Sequence, residues 1–152
     1  MNQCRSCEAG VGETDVLCSV CGAIVMVSGD DEISCENHPG ERAVACCCMC
    51  GKPVCGDCAT SAGGLFLCDA SEHQRAAEQW AVVAFAASPF EADMLKSNLA
   101  QAGIPVRVAD PREFAGSLWF RPSLHVRILV ERASLESALS LLRSFQLVNS
   151  EP

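Results

Sequence analysis

The second half of the chain carries regular hydrophobic periodicity, and the first half carries almost none. WAVVAFA, Trp80–Ala86, is an unbroken apolar run of strand length, which predicts a buried strand. Ser88-Pro89-Phe90-Glu91 follows. A Ser at the cap, Pro at the first helical position and Glu three residues after the Ser mark a helix start. That helix is expected to run to about Ala102, with Phe90, Met94, Leu95 and Leu99 facing the core, and Gly103 closes it. IPVRVAD, Ile104–Asp110, alternates as a strand with Val106 and Val108 on one face. A loop spans Pro111 to Pro122. HVRILV, His125–Val130, alternates again. Ser134 is placed as the cap of a second helix with Leu135, Ala138, Leu139 and Leu142 on one stripe. FQLV, Phe145–Val148, adds a short edge strand.

The order β-α-β-β-α-β over residues 79–148 fits a small ferredoxin-like α+β domain. The first half needs a different argument. All twelve cysteines lie between Cys4 and Cys68. The opening MNQCRSCEAGVGETD has neither the basic start nor the apolar core of a signal peptide. The longest apolar run, Trp80–Ala87, is far short of a membrane span. A soluble, cytoplasmic protein with no membrane association is therefore expected. In a reducing cytosol, Cys-x-x-Cys pairs are metal sites rather than disulfides.

Residues 1–27 hold Cys4-x2-Cys7, ten residues, then Cys18-x2-Cys21-Gly22. Two residues between cysteines let one tight turn aim both sulfurs at one ion, and Gly22 suits the bend that follows. Four thiolates at this spacing make a closed, structural zinc site with no open position for catalysis. So short a segment buries no useful core, so the metal supplies its folding energy. The stretch resembles the short zinc ribbons that open many prokaryotic proteins. Arg5 is its only basic residue, which counts against a nucleic-acid ribbon. The linker VSGDDEIS, Val27–Ser34, is acidic and contains Gly, so it is expected to be exposed and flexible.

Residues 33–77 hold Cys35-x2-His38-Pro39, Cys47-x2-Cys50, Cys55-x2-Cys58, Cys68 and His73. That is eight ligands in four pairs, enough for two zinc ions. The run CENHPGERAVACCCMCGKPVCGDC resembles a B-box zinc finger of the prokaryotic kind. In that fold the pairs interleave as a cross-brace. The resemblance implies that Cys35, His38, Cys55 and Cys58 hold one zinc, and that Cys47, Cys50, Cys68 and His73 hold the other. The last pair departs from the frame as Cys68-x4-His73, which leaves Asp69 and Glu72 as alternatives to His73. Cys46 and Cys48 flank Cys47 outside the frame. They are either small buried side chains or thiols placed to sense oxidants beside a zinc-thiolate centre.

In the cysteine-free half, Trp80-x-Val82, SPFEADMLKSNLAQAGIPVRVAD and HVRILVERASLESALSLL are similar to a prokaryotic domain family of unknown function linked to signal transduction. The resemblance implies a fold shared with the nitrogen-regulatory PII proteins, and association between copies through this domain. Within the loop, Trp119, Phe120 and Arg121 either anchor a partner or fold back over the sheet. Arg107, Arg112, Arg121 and Arg127 form a basic patch if their faces align.

Net charge is −8 at pH 7, and three thiolate-rich zinc sites bring it to about −12. Such a chain repels phosphate backbones, which disfavours nucleic acid as a partner. No glycine-rich phosphate loop or supported catalytic arrangement is present. The reading is a non-enzymatic adaptor or regulatory protein with three Zn2+ per chain and a protein partner. The alternatives are a zinc- or redox-responsive regulator with labile thiols, and nucleic-acid binding through the ribbon.

Overall fold

The computed structural model describes residues 2–25, 33–110 and 125–145. The cysteine-rich half is built from three two-stranded antiparallel hairpins. These are β1 (Asn2–Gln3) with β2 (Gly10–Val11), β3 (Ala45–Cys46) with β4 (Pro53–Val54), and β5 (Thr60–Ala62) with β6 (Leu65–Leu67). Hairpins of this length are not stable alone. Three of the four Cys-x2-Cys turns, at Cys4, Cys18 and Cys47, share one construction. The residue after the second Cys adopts positive φ, at Glu8 (65°), Gly22 (86°) and Gly51 (85°). Its N–H closes the turn onto the first Cys carbonyl, with Glu8 to Cys4 at 2.8 Å, Gly22 to Cys18 at 2.9 Å and Gly51 to Cys47 at 2.8 Å.

The first two cysteine segments are joined by backbone pairing. Cys46 N donates to Gly22 O at 2.9 Å, Ile24 N to Val44 O at 2.9 Å and Phe66 N to Cys21 O at 2.8 Å. Gly22 sits where the two segments meet. A Cβ there would lie 2.6 Å from Cys46 O and 2.9 Å from Cys48 Sγ. Gly22→Ala combines this clash with a left-handed backbone, and is expected to cost about 2–5 kcal/mol. A drop in the denaturant midpoint of the metal-loaded protein measures it. Of the expected flexible linker, residues 27–32 lie outside the described residues. Ile33 corrects that expectation at its end, because it is buried beside Val16, Leu17, Ala43 and Cys46.

A helix, α1 (Ser71–Gln79), leads directly into β7 (Trp80–Ala86). Then come α2 (Pro89–Gln101), β8 (Val106–Ala109), β9 (Val126–Glu131), a 3-10 turn (Arg132–Ser134) and α3 (Leu135–Ser144). The sheet has the order β7-β9-β8 and is antiparallel throughout. This is an α+β domain on a three-stranded sheet. Of the expected fourth strand, Phe145 lies in the turn after α3, and residues 146–148 fall outside the described residues.

Several expectations about this domain change. The capping box forms at Ser88, whose Oγ accepts from Glu91 N at 3.2 Å, but Glu91 Oε2 reaches Ala87 N at 3.0 Å rather than the cap itself. Ser134 makes no capping hydrogen bond, because the 3-10 turn runs through it into α3. On α2 the buried stripe is Ala92, Leu95 and Leu99, whereas Phe90 is 81 % and Met94 39 % exposed. The cap at Ser88 sets the helical phase, and the stripe at spacings of three and four points elsewhere. Leu95→Ala is therefore expected to cost about 2–5 kcal/mol, and Phe90→Ala no more than about 0.5 kcal/mol, in thermal unfolding. On β8, Val108 is exposed and Ala109 is buried, since an edge strand is covered only in part.

The largest correction concerns β9. Its alternating pattern reads as half-buried, yet Val126 to Val130 are all buried. Val126, Ile128 and Val130 pack with Leu95 and Leu99 of α2 and with Ala138 and Leu142 of α3. Leu129 packs on the other face, in one cluster with Cys47, Cys48, Leu67, Cys68, Ala76 and Ala77. The sheet thus lies between its own helices and the cysteine-rich half. Arg132 adds a tie from the end of β9, donating through Nε to Glu78 O and through Nη2 to Ala77 O, both at 2.8 Å. Those carbonyls belong to the last turn of α1, where a cation is favourable.

Candidate metal centres

The turns described above place the cysteines in three four-residue groups. The first is Cys4, Cys7, Cys18 and Cys21; the second Cys35, His38, Cys55 and Cys58; the third Cys47, Cys50, Cys68 and His73. Within each group the candidate ligand atoms all lie within 4.8 Å of one another. Zn–S bonds of ~2.3 Å at tetrahedral angles put sulfurs ~3.8 Å apart, and a nitrogen ligand slightly closer. In the first group, Cys4 and Cys21 Sγ are 3.7 Å apart, and Cys7 and Cys18 Sγ 3.6 Å. In the second, His38 Nδ1 lies 3.9 Å from Cys35 Sγ, 3.6 Å from Cys55 Sγ and 3.2 Å from Cys58 Sγ. In the third, His73 Nδ1 lies 3.7 Å from Cys47 Sγ and 3.1 Å from Cys68 Sγ. The donor sets and their spacing fit zinc.

The second and third groups draw on alternating pairs along the chain. Of the alternatives at the last ligand position, His73 points at the sulfurs from the first turn of α1. Asp69 turns away to Lys52 Nζ at 3.6 Å, and accepts from Asn37 Nδ2 at 3.4 Å. Glu72 belongs to none of the groups.

Thiol acidity within each group is split. Burial opposes the Cys4 and Cys35 thiolates, but backbone N–H donors outweigh it and lower the thiols to about 7 and about 6. Hydrogen bonding from the Cys50 thiol lowers Cys47 to about 4. Their neighbours move the other way. Burial and then the charge of Cys18 push Cys21 up. Burial and the neighbouring sulfurs of its group push Cys58 up to about 11. Cys50 is raised by its bond to Cys47 and then by burial. Sulfurs this close do not all ionise on their own. A divalent cation at the centre removes the repulsion, which is the chemistry the sets are arranged for. His38 is raised by its bonds to Cys55 and Cys35.

Cys46 and Cys48 stand outside the groups. Cys46 is buried against Val16, Leu17, Ile33 and Ala43. Cys48 is buried in the cluster beneath the sheet and donates to Cys21 O at 3.2 Å. Burial raises their thiols to about 12 and about 11. Neutral and enclosed, both act as packing groups. Trp119, Phe120 and Arg121, the expected partner-binding residues, lie outside the described residues, as does Arg112. The expected basic patch does not include Arg127. Its side chain is 4 % exposed, while Arg107 faces outward on β8.

Arg127 is instead the residue that sequence reasoning missed. Its Nη2 donates to Ser19 O at 2.6 Å and its Nη1 to Cys48 O at 3.4 Å, and its guanidinium lies 5.7 Å from the Phe85 ring centroid. Ser19 lies inside the Cys18–Cys21 turn and Cys48 inside the Cys47–Cys50 turn. One buried cation of the sheet thus bridges the turns of the first and third groups. The signal was a charged residue within an otherwise apolar strand, HVRILV, but nothing in the strand names its acceptors.

Residues 80–146 match a family described as "Putative prokaryotic signal transducing protein". The match spans the sheet, α2 and α3 and stops short of the cysteine groups. No curated protein and no solved structure matches the chain. Among the described residues, no helix is long and apolar enough to cross a membrane.

Proposed function

We propose that this protein is a non-enzymatic zinc-binding adaptor of prokaryotic signal transduction. It carries three zinc ions per chain and recognises a protein partner. A zinc ribbon and a B-box-type cross-brace form one platform, and a ferredoxin-like domain of the PII kind sits on it. The observation that carries this reading is that each group supplies four protein donors, which fill a tetrahedral ion. A filled ion has no position for substrate or water, so the metals serve as scaffold. The family match over residues 80–146 supports a regulatory role for the domain mounted on that scaffold.

The reading with labile thiols as sensors is weaker for Cys46 and Cys48, because neither is accessible. Nucleic-acid binding is disfavoured by a charge of −8 before metal. A pull-down with zinc-loaded chain, with chelated chain as control and with nuclease in a parallel arm, tests the proposal. Protein captured only by the loaded chain and insensitive to nuclease supports it. Capture that disappears with nuclease overturns it in favour of nucleic acid.

A further inference from the structure

The three groups differ in what surrounds them. Cys4, Cys18 and Cys21 belong to a buried cluster with Val11 and Ala23. Cys47 and Cys68 belong to the cluster of Val54, Leu67 and Leu129, and Cys50 packs against it. Arg127 ties these two groups together through one carbonyl in each turn. The second group has no such support. Cys35, His38 and Cys55 belong to no buried apolar cluster, and Cys58 only touches one from its edge. His38 is exposed. The polar neighbour of the group is Asn37, whose amide donates to Cys58 Sγ at 3.7 Å from an exposed position.

We propose that Cys35, His38, Cys55 and Cys58 form an exchangeable zinc site that responds to free zinc, while the other two sites hold the fold. This rests on the three-zinc reading above. Release of an ion requires a ligand to detach and a competitor to reach the metal. At an exposed histidine, detachment breaks no core contact. At the other two groups most ligands sit in a packed cluster, and detachment needs its local opening. The competitor then takes the coordination position that the imidazole has left. Emptying this site frees the half-buried Cys58 and the buried Cys35 and Cys55 from their ion, and it keeps Leu129 and Arg127 covered, so the chain registers zinc without unfolding.

The test uses the full zinc-loaded chain with a chromogenic chelator, followed by native mass spectrometry and by iodoacetamide labelling mapped to peptides. The expected result is an accumulating two-zinc species. The first ion leaves at least about tenfold faster than the others, with labels confined to Cys35, Cys55 and Cys58. His38→Cys, which replaces the exposed neutral donor with a thiolate, slows that first step by about tenfold or more. Loss of all three ions in one step, or first labels on Cys4 or Cys47, overturns the exchangeable site and leaves three-zinc binding standing. Protein purified without zinc that takes up none on addition overturns both.

Discussion

Cys47→Ser is expected to unfold the cysteine-rich half and uncover one face of the sheet. The thiol of Cys47 is the most acidic of its group, and Cys47 packs in the same cluster as Leu129 and Ala109 of the sheet. Losing it leaves three donors around the ion and a polar hydroxyl in an apolar cluster. Structural zinc is worth roughly 10–16 kcal/mol in small modules. A domain has only about 5–15 kcal/mol of net stability. One broken centre therefore suffices to melt the part it organises. The second core, of Leu95, Leu99, Ile128 and Leu142, contains no ligand, so α2 and α3 are expected to persist. Trp80 packs against the metal-side cluster and reports the change. In a Trp119→Phe background, its emission shifts red in Cys47→Ser while much of the far-ultraviolet helical signal remains. Complete loss of helix would show that the domain at residues 80–145 has no independent core.

Arg127→Ala is the second large effect. The wild-type guanidinium is buried and donates to two carbonyls, Ser19 O and Cys48 O. Removing it leaves a cavity and two orphaned acceptors. A cost of about 3–5 kcal/mol follows, of the size seen when one member of a buried charged contact is deleted. The charge also matters at longer range. The bridged turns belong to thiolate-rich centres of net negative charge, so the cation offsets their mutual repulsion. Arg127→Met restores volume but not donors. It is expected to recover only part of the loss, because unpaired carbonyls still cost about 1–3 kcal/mol each. Denaturant unfolding of both variants measures this. The zinc content of Arg127→Met should stay unchanged, since the residue holds no metal. An Arg127→Met variant as stable as the wild type would remove the bridge from the account.

Much of this was legible in the chain, and the failures share a cause. The strand Trp80–Ala86 and the cap at Ser88 were visible because both are local signals: a short apolar run, and a hydroxyl three residues before a Glu. The cysteine pairs were visible because two-residue spacing forces neighbouring sulfurs together, whereas the interleaving of pairs in the second and third groups was an expectation from the B-box resemblance alone. The burial of both faces of β9 was not, since HVRILV alternates as a one-sided strand does. Its second face is covered by residues far earlier in the chain, from Cys47 to Ala77, and Arg127 looks like a surface residue until its carbonyl partners are known. Phe90 and Met94 misled in the same way, because hydrophobicity marks candidates for the core but the phase of α2 selects among them. Gly22 was read as a local bend. Its closer constraint is the backbone of Cys46, contributed by a segment beyond the linker.

The central claim is that three complete Cys/His groups each hold one zinc ion and that Arg127 ties two of them to the sheet. Native mass spectrometry of freshly purified chain, before and after denaturation in acid, tests it most directly. The account predicts a mass increment of three zinc ions per chain, with all twelve cysteines reduced once the metal is removed. Two ions or fewer, with a deficit of two hydrogens for each one missing, would mean that cysteines of these groups pair as disulfides, and would contradict it.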